Sequence, residues 1–247
     1  MMPYLYIGSL ALPMYWLMIG FAAVLILVMT ILQREQYGLS LPRAILFVLL
    51  FAALTGICGT LFAQLDNTLK AGGESLYHLN LDVMGTVLLA PFLIPIIGRI
   101  CSISARSSLN LCAKGMAILL MFTRIGCFFA GCCGGKYVYL SGNLVRLPVR
   151  ILESAGCFVI FLFLQKYEER KGGDVDLYPL FLLTYCPMRF LLDFMRTYSL
   201  VAFGLNVYQF HCIAGIILGL ILFFWFRRRR ERREKRAEQP ERSGAAG

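Results

Sequence analysis

Charge is scarce in this sequence. Only 15% of the 247 residues are Asp, Glu, Lys or Arg, 59% are apolar, and the mean hydropathy is +0.71. That balance excludes an ordinary water-soluble domain. The chain also lacks a basic segment ahead of its first apolar run, "MMPYLYIGSLALPMYW". Because that run is long enough to span, a cleaved signal peptide is not expected and the first segment should stay in the mature protein. There is no internal repeat and no matched pair of interrupted apolar segments, which speaks against a transporter built from two halves.

What the sequence does have is a series of apolar runs. They cover approximately Pro13 to Leu32, Ala44 to Gln64, Leu81 to Ile97, Leu109 to Ala130, Ile151 to Leu164, Leu177 to Phe194 and Val207 to Phe226. A spanning helix needs roughly 20 such residues, so the third and fifth runs are short and their ends are the least defined. The pattern predicts an all-α polytopic membrane protein of about seven transmembrane helices. Its membrane domain would cover residues 1–226, followed by a basic tail over 227–247.

The tail, "RRRRERREKRAEQPERSGAAG", carries nine Lys/Arg against four Asp/Glu and so half of the formal net charge of +10. Starting directly after an apolar helix, it reads as a disordered membrane-surface anchor and not as a nucleic-acid arm. Placing it in the cytoplasm puts Arg34, Arg43, Arg99, Arg106, Lys166, Arg170 and Lys171 on the same side. Lys70, Lys136, Arg146 and Arg196 fall outside, and with seven spans so does the N-terminus.

Ionisable residues inside apolar runs need a reason, since each costs roughly 2.5 to 3.5 kcal/mol near a helix centre. Arg124, Arg150, Glu153, Arg189 and Asp193 are such residues. In "TYCPMRFLLDFMR", Tyr185, Arg189 and Asp193 share one helical face at i, i+4 and i+8. Asp193 can act simply by pairing with Arg189. Lys114, near the cytoplasmic start of its helix, is expected to snorkel. Three arginines converging on one cavity with only Glu153 and Asp193 to balance them leave room for an anion. A phosphate fits the guanidinium fork, and at that depth it would belong to a phospholipid headgroup.

The segment "RIGCFFAGCCGG" and its companions "LALPMYWLMIGF", "GGESLYH", "PVRILE" and "YCPMRFLLDFMR" together resemble the prolipoprotein diacylglyceryl transferase family, in collinear order to Phe226. The family signature has the form R-x-G-N-F-x-N-x-E-x-x-G. Arg124, Gly126, Phe128 and Gly135 keep it, whereas Cys127, Ala130 and Cys132 stand at its Asn, Asn and Glu positions. The family's histidine position reads Tyr77, with His78 one place later.

The resemblance implies a transferase of lipoprotein biosynthesis in the bacterial inner membrane. Such an enzyme moves the diacylglyceryl group of phosphatidylglycerol to the lipobox cysteine of a prolipoprotein signal peptide and releases glycerol phosphate. Membrane lipids are the other partners implied, with no nucleic acid, cofactor or metal. On that resemblance Arg124, Arg189, Tyr15, Tyr185 and His78 are expected to be catalytic. Tyr77, Gly126, Cys127, Cys132, Gly135, Arg150, Glu153, Asp193 and Gln209 are expected to bind substrate.

Six of the nine cysteines are scattered singly in or beside apolar runs and read as small buried hydrophobes. Cys127, Cys132 and Cys133 form C-x4-C-C and leave several readings open. The sequence favours close packing among glycines first. Thiol chemistry beside Arg124 follows, with an exoplasmic disulfide also open, though not between the adjacent Cys132 and Cys133. A metal comes last, because the spacing lacks paired C-x2-C and has no nearby histidine. Two function classes follow: a lipid-headgroup transferase, or a diverged paralogue that binds phospholipid without that reaction or uses its own thiols.

Overall fold

The computed structural model of the chain describes residues 4–7, 10–71, 83–140, 143–172, 175–197 and 203–244. Among these lie seven helices: α1 (Met14–Leu32), α2 (Leu41–Ala71), α3 (Val83–Ile100), α4 (Ala105–Ala130), α5 (Val149–Lys171), α6 (Leu177–Asp193) and α7 (Val207–Gly244). Five are long and apolar enough to cross a membrane: α1, α2 over Leu41–Gln64, α3, α4, and α7 over Val207–Arg232. The chain is therefore a multi-pass membrane protein. Helix α6 has only 17 residues, and α5 carries Arg150, Glu153 and Lys166 along its length, so neither qualifies by length and composition alone.

Helix α4 sits at the centre, against α1, α3, α5 and α6. Every residue from Ser108 to Leu120 is buried, as befits a helix with no face left for solvent or lipid. Its N-terminus is capped by Ser104, whose hydroxyl accepts from the Ser107 amide at 3.0 Å. The surrounding helices turn apolar side chains outward, among them Phe21 and Val24 on α1, Leu49 and Leu61 on α2, and Ile221 and Phe224 on α7. A bilayer is the solvent in which such a surface carries no penalty.

Two short hairpins accompany the helices. Strands β1 (Tyr4–Ile7) and β2 (Leu10–Pro13) precede α1, and β3 (Tyr137–Leu140) and β4 (Asn143–Arg146) join α4 to α5. The second lies in "KYVYLSGNLVRL", whose alternating aromatic and β-branched residues around Ser-Gly carry a hairpin signal. Helix α7 continues into the basic segment as far as Gly244. Glu231 receives Arg227 at 3.2 Å one turn earlier, the spacing that supports an exposed helix.

Lys114 does not snorkel. Its side chain is fully buried, and Nζ donates to Glu168 Oε2 at 2.7 Å and to the Tyr37 hydroxyl at 3.0 Å. Gln33 and Glu168 close the ring through hydrogen bonds from Lys114 and Tyr37. These contacts tie α1, the α1–α2 turn, α4 and α5 together at the same end of the bundle where Asn110 holds the start of α6. There Asn110 Nδ2 donates to the Val175 carbonyl at 2.8 Å, and its Oδ1 accepts from the Leu177 amide at 2.9 Å. The lysine is matched by a carboxylate on the helix beside it, and that is why it can stay inside.

Removing one partner of a buried pair strands the other charge, which costs about 3 to 5 kcal/mol, whereas replacing both by apolar groups is often neutral. Glu168→Ala should therefore lower the melting temperature in detergent markedly, and a Lys114→Met, Glu168→Leu double substitution should restore most of it. An unchanged melting temperature in Glu168→Ala would mean that the pair does not hold the bundle.

Candidate active site

At the other end of α4 three arginines meet on one buried carboxylate. Glu153, one turn into α5 and fully buried, pairs with Arg124, whose Nε lies 2.9 Å from Oε2. Arg189 Nη1 reaches both of its oxygens, at 2.7 and 2.9 Å. Arg196 also donates to Oε2, and the Tyr185 hydroxyl donates to Oε1 at 3.3 Å. Asp193 lies 3.4 Å from Arg189 and 3.5 Å from Arg196. Three guanidiniums face two carboxylates, so the carboxylates leave one positive charge for a further anion.

The arginines are not equally accessible. The side chain of Arg124 is 12% exposed, against 4% for Arg189 and 1% for Arg196. Arg124 also lines an apolar cavity of about 360 Å³ between α4 and α5, with Phe128, Arg150, Ile151 and Phe158. A second apolar cavity, of about 180 Å³, opens between α1, α2 and α4 and is lined by Tyr15, Trp16, Phe51 and Thr123. Tyr15 lies within electrostatic reach of Arg124 and of the three clustered thiols. Arg124 thus borders one apolar space, and Tyr15, within its electrostatic reach, lines the other.

Local sequence explains how the pieces are brought together. Gly126 lets α1 cross closely, since a Cβ there would lie 3.2 Å from the Tyr15 Cα. Gly131, at φ 76°, ends α4 and reverses the chain. A Cβ on Gly135 would lie 2.6 Å from the Leu147 carbonyl, so only glycine fits where the loop returns beside α5. Gly135 bridges to Arg196, and the Lys136 amide donates to the Met195 carbonyl at 2.8 Å. The loop after α4 is therefore stitched to the segment after α6.

That reversal gathers three thiols. The Sγ atoms of Cys127, Cys132 and Cys133 all lie within 4.8 Å of one another, Cys127 buried and the other two exposed. Cys133 adopts φ 54°, the left-handed region uncommon for a residue with a side chain. Hydrogen bonds from the Cys127 and Cys132 thiols lower the Cys133 pKa well below the usual thiol value, and the Arg124 and Arg196 guanidiniums act in the same direction.

Of the predicted site residues, Arg124, Glu153, Tyr185, Arg189 and Asp193 come together, with Tyr15 alongside. Arg150 does not join the cluster: its Nη1 donates to the carbonyls of Cys127 at 2.7 Å and Phe128 at 3.4 Å, capping the end of α4. Gln209 is occupied by the start of α7. Its Oε1 accepts from the Asn206 amide at 3.0 Å, while the Asn206 Oδ1 accepts from the Gln209 amide at 2.9 Å. This reciprocal pair is a capping box. Tyr77 and His78 lie outside the described residues.

Arg196, read from sequence as a loop cation, is buried in the cluster. A signal was available, because Arg189, Asp193 and Arg196 follow i, i+4, i+7 spacing.

The family model for prolipoprotein diacylglyceryl transferase matches residues 3–225. A protein of Dehalococcoides mccartyi named phosphatidylglycerol–prolipoprotein diacylglyceryl transferase is 24% identical across 91% of this chain and 93% of its own length. Proteins of the same name from Clostridium tetani and Finegoldia magna are 28% and 34% identical. They align with 50% and 33% of this chain and with 55% and 34% of their own lengths. The chain thus spans about half the length of the Clostridium relative that it matches.

The lowered pKa of Cys133 has a direct consequence. In metal-free protein its thiolate should persist as the pH falls from 8 to 6, whereas an ordinary thiol of pKa near 8.5 loses roughly tenfold in thiolate per unit. Iodoacetamide should label the exposed Cys132–Cys133 pair nearly as fast at pH 6 as at pH 8, as read by peptide mass mapping. A roughly tenfold fall in labelling per pH unit would contradict the stabilised thiolate.

Proposed function

The chain belongs to the prolipoprotein diacylglyceryl transferase family, and on that footing we propose that it is itself such an enzyme. It moves the diacylglyceryl group of phosphatidylglycerol to the cysteine thiol of a prolipoprotein signal peptide at the bacterial inner membrane. Helices α5 and α6 complete seven crossings around α4, with the N-terminus outside and the basic end of α7 in the cytoplasm. The observation that carries this reading is the position of Arg124. It is paired inward to Glu153 at 2.9 Å and faces an apolar cavity outward.

The chemistry asks for that arrangement. The acceptor sulfur, as thiolate, attacks the glycerol carbon that bears the phosphate ester. The C–O bond breaks and its electron pair leaves on the phosphate oxygen, giving the thioether and glycerol phosphate. Arg124 holds the phosphate and offsets the charge that it gains, with Arg189 and Arg196 supplying positive potential from behind. The two apolar cavities accept the acyl chains beside the headgroup, and a site shielded from bulk water strengthens each of these interactions. Tyr15 and Tyr185 border the reacting region; Glu153 and Asp193 orient the arginines.

A second reading has one specific observation in its favour. Cys127 and Cys132, at signature positions that the family fills with Asn and Glu, converge with Cys133. A diverged paralogue could keep the lipid cavity and use these thiols in place of the original transfer.

Supplying the purified protein with labelled phosphatidylglycerol and a lipobox peptide separates the two, since the first yields a thioether and glycerol phosphate and the second yields neither. Arg124→Lys should lower the transfer rate by about a hundredfold, because an ammonium cannot supply the planar fork to phosphate. Equal rates, at equal melting temperature, would remove Arg124 from the reaction.

A further inference from the structure

We propose that Cys127, Cys132 and Cys133 form a three-thiolate site for a thiophilic d10 cation, zinc(II) or copper(I), whose open fourth position takes the thiol of the acceptor. The metal site stands on geometry alone; the role of its fourth position rests on the transfer reading above.

Three sulfurs bound at about 2.3 Å to one ion stand about 4 Å apart. The three Sγ atoms already lie within 4.8 Å of one another, so closing on an ion requires only small side-chain movements. A spacing of C-x4-C-C does not announce this. Cys127 sits in the last turn of α4, the chain reverses at Gly131, and the next two residues fold back over the helix end. Cys132 Sγ lies 3.8 Å from the Cys127 carbonyl as a result. Cys133 holds its left-handed backbone, φ 54°, in the same turn, a conformation that persists only where the surroundings enforce it. Packing alone asks for none of this convergence.

The electrostatics suit an anionic complex. Three thiolates leave a net charge of −1 around a divalent ion and −2 around a monovalent one, and both Arg124 and Arg196 act on the cluster. Soft thiolate ligands select zinc and copper(I) over the hard cations that carboxylates bind. Among the described residues the group contains no fourth Cys, His, Asp or Glu, and two of its three cysteines are exposed. Structural thiolate sites are closed, whereas sites that act on a substrate keep one position open.

That position has a use in the proposed reaction. The acceptor thiol binds the ion and releases its proton to solvent, becoming a thiolate at neutral pH. Its sulfur then forms the bond to the glycerol carbon as the C–O electron pair leaves with the phosphate beside Arg124. The product thioether is a weaker ligand than a thiolate and departs. No oxidant or reductant enters, and the ion keeps its charge throughout.

The test uses the full-length, reduced protein in detergent under argon, dialysed against buffered zinc(II) and, in a separate arm, against copper(I). About one equivalent should be retained in at least one arm, which also identifies the ion. Cobalt(II) in place of zinc should give thiolate-to-metal charge-transfer absorption. Retention below about a tenth of an equivalent in both arms, or equal retention after Cys127→Ser, Cys132→Ser and Cys133→Ser are combined, overturns the site. Melting temperatures of the variants, and their unchanged free-thiol reactivity at the other cysteines, exclude loss by unfolding.

The fourth position is read separately. A lipobox peptide should perturb the cobalt spectrum, and the same peptide with serine for its cysteine should not; identical spectra overturn the open position. Turnover keeps the two ideas apart. Metal binding without any thioether product sinks the transfer reading and leaves the metal site. A metal-free protein as active as the loaded one sinks the role given to the ion and leaves the transfer reading.

Discussion

The arginine-rich end of this bundle depends on one carboxylate. Glu153 lies on α5, Arg124 on α4, Arg189 on α6 and Arg196 beyond the end of α6, so a single side chain ties three helices and one loop. Without it three guanidiniums would face one another across a few ångströms with only Asp193 for balance. At low effective dielectric that repulsion exceeds the worth of any single helix contact. The carboxylate therefore makes the cationic cluster possible, and with Asp193 it leaves one arginine charge for a further anion, of which the Cys133 thiolate beside Arg124 and Arg196 is one.

The two buried ion clusters of α4 contrast in a telling way. Lys114 and Glu168 match one cation with one anion, and Tyr37, Gln33 and Gln165 fill out their hydrogen bonds. Between them and Glu153 runs an apolar stretch of α4 from Gly115 to Leu120 with no side-chain charge. Balanced charge at one end fixes the helices against each other. At the other end three arginines share two carboxylates beside the apolar cavity that Arg124 lines. One helix thus carries a balanced pair at one end and an arginine-rich cluster at the other.

The helices were legible because apolar runs of about 20 residues leave few alternatives. The cluster was partly legible for the same reason: an arginine or glutamate inside such a run must find a partner, and Arg124, Glu153, Arg189 and Asp193 find one another. What sequence could not supply was the partner of a residue at a helix end. Arg150 caps carbonyls of α4, Gln209 closes a capping box with Asn206, and Arg196 turns inward because Gly135 and Lys136 pair with its segment. Each outcome is set by a chain reversal or a loop contact that linear spacing does not encode. Lys114 failed for a related reason, its partner lying 54 residues away on α5.

The thiol cluster makes the same point most sharply. C-x4-C-C reads as packing in a line of sequence, yet a left-handed glycine after a helix terminus converts it into a convergent trio. Its position beside Arg124 is not neutral to its chemistry. The positive potential that would hold a phosphate also stabilises thiolates, so cysteines placed there acquire reactivity, or affinity for a soft cation, without further change to the scaffold. A polar Asn or Glu in the same places could only orient a substrate. Three sulfurs at that helix end would in addition hold an ion to which the acceptor thiol, which must lose a proton for a thioether to form, could bind.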